Sequence, residues 1–297
     1  MLSLLPLLLL NGVVFGAIYG LNAVGFSIMY NATGIINFTQ GEFVMLGGML
    51  TLLFYADGRV PLPIAAAGAI AATTLVGLAI ERGAIRPLWR RRSRDWTYIF
   101  MLFAVATVVP NVVMLGISRD AQTFPAFSGN RPLTFGPVAI APQALWVLGV
   151  TAAVAVALHV FFNHTLTGKA MKATAVNRRA AGWMGIHVER MVALSFALSA
   201  LLGGLGGVVF TPLITTQFNI GLSFTLKGFA AAIIGGLGNI SGAIVGGLVL
   251  GLLEALSTAF VSSLYGDAVT YGILLVLLLV RPSGLFRPLV ELQQEEI

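Results

Sequence analysis

The sequence predicts an all-α, polytopic membrane bundle of about eight transmembrane helices, several of them broken at glycine. Three observations predict it. The 297 residues are 58% hydrophobic and only 9% charged, with a mean hydropathy of +0.94, whereas soluble domains carry about 25% charged residues. Apolar runs recur at roughly 20 residues, the length that crosses a bilayer as a helix. The runs are continuous rather than alternating, and backbone groups in lipid must be satisfied within the segment, so the spans are helices and a strand barrel is excluded.

Apolar runs bounded by charges and turn residues place spans at 11–30, 35–55, 62–80, 97–117, 142–162 and 191–213. The last stretch, 224–280, is broken by glycine at 235–242 and interrupted again at 257–267, so it holds two or three crossings. Residues 2–10 have no basic residue before them and no small-residue cleavage site after them. They read as mature chain rather than signal peptide, either extending the first span or lying at the interface. Residues 1–297 read as a single transmembrane domain.

Lys and Arg in short loops set orientation. Residues 81–95 hold six arginines (Arg82, Arg86, Arg90, Arg91, Arg92, Arg94), and residues 163–190 hold Lys169, Lys172, Arg178, Arg179 and Arg190. Both loops are expected on the cytoplasmic side. The longer stretch 118–141 carries only Arg119 and Arg131 and suits the opposite face. Three crossings after Leu213 would leave the tail 281–297 cytoplasmic. The net charge of +6 is explained by these loops, not by nucleic-acid binding; such a surface also attracts acidic membrane lipid. With no cysteine, disulfides, thiol nucleophiles and Cys-ligated metals are excluded.

Glycines recur every fourth position at Gly12, Gly16 and Gly20, and in the pairs Gly203/Gly207, Gly242/Gly246 and Gly247/Gly251. Small-xxx-small faces let helix backbones approach closely in lipid, either within one bundle or between two copies. The stretch NFTQGEF sets Asn37, Thr39, Gln40 and Glu42 at the start of the second span, with Gly41 offering a break in the helix. A carboxylate in hydrocarbon is costly, so Glu42 is expected to face protein or a water-filled path. Two readings stand: a broken helix lining a translocation pathway, or polar residues that cap a helix near the interface. A second polar break, GNISG at 238–242, precedes the glycine-rich run to Glu254. Asn239-Ile-Ser echoes Asn37-Phe-Thr, as a trace of an internal repeat or by chance.

The basic stretch TGKAMKATAVNRRAAGWMGIHVER, 167–190, places Lys169, Lys172, Ala175, Arg179 and Ala180 as on one short amphipathic helix, followed by a Gly-Trp-Met-Gly-Ile turn. An anchoring loop has little need of such order; a docking element for a cytoplasmic partner explains it better. Chemistry is poorly supported. No GxxxxGK[ST] phosphate loop is present. His159, His164 and His187 lie near cytoplasmic boundaries without a paired carboxylate or metal-ligand spacing. No catalytic residue and no metal site is assigned.

The blocks NGVVFGAIYGLNAVGFSIMYNATGIINFTQGEFVMLGG, ERGAIRPL, TGKAMKATAVNRRAAGWMGI, KGFAAAIIGGLGNISGAIVGGLVLGLLEAL and LLLVRPSGLF, in this order, resemble the inner-membrane permeases of branched-chain amino-acid-type ABC importers. The resemblance implies a bacterial inner-membrane permease, without a cofactor of its own, that pairs with a second, homologous permease. It further implies two cytoplasmic ATPase subunits that hold ATP and Mg, and a periplasmic solute-binding protein. On it, the loop 163–190, with Gly168, Lys169, Lys172, Ala175, Arg179, Met184 and Gly185, resembles the loop that couples to an ATPase. The translocation path is then expected along Asn37, Thr39, Gln40, Glu42, Asn239 and Ser241. NFTQGEF matches the family's INFAHGE-like signature except at Gln40, where many members carry His. Solutes of the family run from branched-chain amino acids to urea, amides and aromatic acids, so that departure bears on the solute. The rival reading is an ion-coupled secondary carrier, with Glu42 and Glu254 as its ion site.

Overall fold

A computed structural model describes residues 5–55, 58–91, 93–129, 131–135, 138–260, 266–281 and 284–286. The helices are α1 (Leu5–Thr33), α2 (Gln40–Tyr55), α3 (Leu62–Ile80), α4 (Arg86–Arg90), α5 (Asp95–Gly116) and α6 (Pro142–His164). They continue with α7 (Leu166–Val176), α8 (Arg178–Trp183), α9 (Val188–Phe210), α10 (Ile220–Gly235), α11 (Ile240–Phe260) and α12 (Gly266–Val280). Among the described residues, six helices are long and apolar enough to cross a membrane by themselves. The shorter α2, α10 and α12, of 16, 16 and 15 residues, complete the bundle. The chain is a multi-pass membrane protein.

The first helix begins at Leu5, so residues 5–10 extend the first span; residues 1–4 lie outside the described set. The second span is shorter than its apolar run. Residues 34–39 are not helical, and α2 starts only at Gln40. Gly41 is therefore no break: it sits in the first turn of α2, where a Cβ would overlap the backbone of Gly221 and Thr225 on α10. The third span is longer than expected. A π-helical turn, Glu81–Ile85, joins α3 to α4, so most of the Arg-rich stretch is a helical extension rather than a loop. Pro87 cannot donate to the carbonyl four residues back, and a widened turn just before it absorbs that defect. Glu81, fully buried, receives Arg86 Nε and Nη2 at 3.1 and 3.2 Å. Arg92 lies outside the described residues.

The glycine seams are used inside this chain. A Cβ on Gly16 would meet Leu248 Cα at 2.7 Å, and one on Gly247 or Gly251 would overlap the backbone of Gly20 or Gly16. Thus α1 and α11 touch backbone to backbone, in the most extensive helix contact of the molecule. Gly203 and Gly207 press in the same way on Phe43 and Val44 of α2, and Gly242 and Gly246 on α10. The chain reverses between α10 and α11 at Gly236 and Gly238, with φ of 93° and 91°, a left-handed conformation that glycine adopts without strain. Of the interruption expected at 257–267, residues 257–260 are the end of α11 and 266–267 the start of α12, and 261–265 lie outside the described residues.

Two opposite ends result. At one end Arg90 pairs with Glu189 at 3.7 Å, Arg178 stacks over Trp89 at 5.6 Å, and Leu285 N donates to Ile234 O. This is the end that carries both basic stretches. At the other, Gln122 and Thr216 exchange backbone hydrogen bonds and Gln143 Nε2 donates to Val209 O at 2.8 Å. That end also carries the departure from an all-helical chain, a short antiparallel hairpin of β1 (Leu133–Phe135) and β2 (Val138–Ile140), with Leu133 opposite Ile140.

Candidate functional site

The break at residues 34–39 brings the start of α2 into the middle of the bundle. Gln40 lies beside Ser199, about midway along α9 (Val188–Phe210). Its Nε2 donates to Ser199 O at 3.2 Å, its Oε1 accepts from the Ser199 hydroxyl, and a Cβ on Gly25 of α1 would overlap its amide. Asn37 Oδ1 accepts from Thr39 N at 3.0 Å and from the Thr39 hydroxyl, a local turn that opens the helix. Gly41 N donates to Thr225 Oγ1 at 3.0 Å, and that hydroxyl donates to Phe38 O at 3.2 Å. Glu42 packs its carboxylate against Gly221, and its Oε2 has no hydrogen-bond partner among the described residues. Asn37, Thr39, Gln40 and Glu42 are all buried. They form one polar joint among α1, α2, α9 and α10.

Asn239 and Ser241 are elsewhere. Asn239 Oδ1 accepts from Gly242 N at 2.9 Å and caps α11. With Ser241 it lines a groove of about 540 Å³ that also touches His159, Asn163 and Lys172. The two polar breaks thus share a device, an Asn that opens a helix, but not a location. Asn239 and Ser241 join Lys172 at the basic end instead.

The basic stretch is two helices, not one. Asn177 leaves the helical region at φ −151° and its Oδ1 accepts from Arg179 N and Ala180 N, both at 3.0 Å, so the same side chain ends α7 and caps α8. Gly168 packs against the end of α6, where a Cβ would overlap Phe161 O. Lys172 Nζ donates to Asn163 Oδ1 at 2.7 Å, and Ala175 is half-buried. Lys169, Arg179, Met184 and Gly185 are exposed. Leu166, Trp183 and Met184 are 87%, 86% and 84% exposed, and the adjacent Trp183 and Met184 make an apolar tip at the end of α8.

The sequence reading did not single out Lys227 or Tyr19. Lys227 Nζ lies 2.7 Å from Glu254 Oε1 and 3.4 Å from Tyr19 Oη. A lone lysine inside the apolar run of α10 was the signal that could have found it. Glu254 is therefore engaged with Lys227 rather than with Glu42. Among the described residues, no group of three or more His, Cys, Asp or Glu could hold a metal ion.

Comparison with known proteins places this geometry. Residues 8–279 match the family described as branched-chain amino acid transport system, permease component. The chain is 33% identical to the high-affinity branched-chain amino acid transport system permease protein LivH of Escherichia coli K12, over 95% of each chain. It is 32% identical to the corresponding protein BraD of Pseudomonas aeruginosa, over 95% of this chain and 96% of that one. The ribose import permease protein RbsC of Haemophilus influenzae is 27% identical over 54% of each. Among solved structures, PsaBC from Streptococcus pneumoniae in complex with Fab shares the fold, with a TM-score of 0.50 at 13% identity, covering 97% of this chain and 94% of that one.

Proposed function

The chain belongs to the branched-chain amino acid transport system permease family, and from that premise we propose that it carries a branched-chain amino acid, or a related small solute such as urea, an amide or an aromatic acid, through the inner membrane as part of an ATP-driven importer. The chain is a permease subunit. The observation that carries the reading is the match along nearly the whole chain, which takes in both polar breaks and the basic stretch. ATP and Mg then belong to a pair of cytoplasmic ATPase subunits. A second, homologous permease completes the path, and a periplasmic binding protein delivers the solute.

The exposed tip of Trp183 and Met184 suits an ATPase groove. Aromatic and Met side chains are enriched at interfaces, and among the described residues nothing covers these two. The element is also tied to the spans: the short link 184–187 joins α8 to α9, and Arg178 stacks on Trp89 at the end of α4. A push on the tip would reach the joint at Gln40 and Ser199 along α9. Alternating access then follows from rigid helices moving on their glycine seams, with the joint of Asn37, Thr39, Gln40 and Glu42 as the part that must shift near the middle of the membrane.

ATPase activity of the assembly in nanodiscs, purified through this chain with whatever accompanies it, tests the reading. It is measured with and without a binding protein loaded with leucine, urea or an aromatic acid. Stimulation by one loaded form is the expected result and names the solute. No accompanying ATPase, together with uptake that collapses with the ion gradient, would favour an ion-coupled carrier instead.

A further inference from the structure

The Lys227 and Glu254 pair borders a cavity of about 360 Å³ between α1, α10 and α11, walled by Phe15, Phe210, Ile214 and Phe224. We propose that this cavity is a transient binding site for a zwitterionic, apolar α-amino acid, with Lys227 and Tyr19 receiving its carboxylate, Glu254 its ammonium, and the four apolar side chains its hydrocarbon. The proposal rests on the importer reading and deepens it.

Both charged side chains are largely withdrawn from solvent, at 13% and 22% exposure. Ionisable groups inside a membrane protein mark solute pathways more often than they stabilise folds. Holding α10 to α11 does not need them, because Gly235, Gly242 and Gly246 already bring those helices into backbone contact. Lys227 also stands over the Tyr19 ring at 5.4 Å, so the cation is fixed on a second helix. Glu254 Oε1 accepts from Lys227, while its Oε2 is buried with no hydrogen-bond partner.

Charge balance selects the ligand. Lys227 and Glu254 set opposite charges side by side, which suits a low-dielectric surrounding. A zwitterion can part Lys227 from Glu254 and replace each partner with one of its own charges, so that neither side chain is left alone and net charge stays zero. An anionic aromatic acid would satisfy Lys227 but leave two carboxylates together. Urea would leave both ions poorly matched and the apolar wall empty. The site therefore favours amino acids over the other solute classes.

The test uses the full assembly in liposomes, with leucine-loaded binding protein outside and ATP inside. The double variant Lys227→Met with Glu254→Leu removes both charges at once, leaves no lone ion and fills similar volume. Its assembly and thermal midpoint are expected to stay near wild type while leucine uptake falls by at least an order of magnitude. A second measurement leaves the pair intact: Ser223→Cys at the rim of the cavity places one thiol in a chain that otherwise has none. Tens of millimolar L-leucine should slow its labelling by a maleimide several-fold, whereas leucinamide and 4-methylpentanoate, each with one charge, should not. Nanodiscs without zwitterionic lipid exclude a headgroup as the occupant. Wild-type uptake with an equally active double variant, labelling unmoved by leucine, or protection by zwitterionic lipid alone would overturn the site. Absence of ATP-driven uptake in the wild type would overturn the importer reading beneath it.

Discussion

Replacing Gly247 with Ala and Gly149 with Ala should move stability in opposite directions. Each change adds one methyl to a membrane helix, and each gains about 1 kcal/mol of helix propensity over glycine. At Gly149 of α6 the methyl meets nothing within 4 Å, so the gain stands. At Gly247 of α11 it would overlap Gly20 N and Cα and lie 2.7 Å from Gly16 O. Those atoms are backbone, so no rotamer change relieves the clash, and α1 and α11 must separate along their whole contact. Overpacking of this kind costs about 3 kcal/mol at the upper end of its usual range, a net loss of about 2 kcal/mol after the propensity gain. The thermal midpoint of the purified assembly in nanodiscs reads this directly. Gly247→Ala should melt several degrees below wild type and Gly149→Ala at or above it. A Gly247→Ala midpoint equal to wild type would refute the reasoning and move the seam from the inside of this chain to a contact between chains.

Other changes separate structural from functional roles. Trp183→Ala with Met184→Ala should leave the thermal midpoint unchanged, since both side chains are exposed, yet weaken ATPase binding in a pull-down and abolish stimulated uptake; intact uptake would end the docking role. Gln40→His should leave the preference among solutes unaltered, because Gln40 is fully buried against Ser199 and Gly25. A change in relative uptake of leucine and an aromatic acid would contradict this. Glu42→Gln should fold normally, whereas Glu42→Ala opens a void beside Gly221 worth about 2 kcal/mol, seen as a lower midpoint and poorer assembly. Arg86→Ala leaves Glu81 buried without its partner and should cost about 2 kcal/mol, below the range for fully buried pairs because Arg86 is 26% exposed. Exposed Arg91→Ala should cost almost nothing, and equal midpoints for the two would refute the distinction.

The bundle was legible because hydrophobic length is a local property. Continuous apolar runs, the two basic stretches and the glycine break at 235–242 each declare themselves within a few residues. Depth in the bundle is not local. Asn37 to Glu42 reads equally as an interfacial cap or as a broken helix on a pathway, and the contacts that bury it among α9 and α10 come from Ser199 and Thr225, about 160 and 185 residues away. The π-turn at Glu81–Ile85 was hidden because arginines suggest a loop, while here Arg86 stays helical by pairing with Glu81. Asn177 divides the basic stretch in two through its own side chain, a choice that an amphipathic pattern does not reveal. Lys227 was overlooked because its neighbours are apolar, and only the fold shows Glu254 beside it.

These features together limit how the molecule can move. Where α9 meets α2, and α11 meets α1, the contact is backbone on backbone, so little compressible side-chain packing can absorb a displacement. A movement at the exposed tip of α8 can reach α9 through the short link 184–187, and α9 carries Ser199. The Ser199 carbonyl in turn accepts from Gln40 Nε2 at 3.2 Å and its hydroxyl lies 3.0 Å from the carbonyl of Gly25, so α1 and the start of α2 move with it or those contacts break. The Lys227 and Glu254 pair lies where α10 and α11 meet Tyr19 of α1, with Phe210 at the end of α9 lining the same cavity. Displacing α1 therefore moves Tyr19 relative to Lys227. That displacement offers a direct way for a push at the basic end to loosen a solute held at the pair.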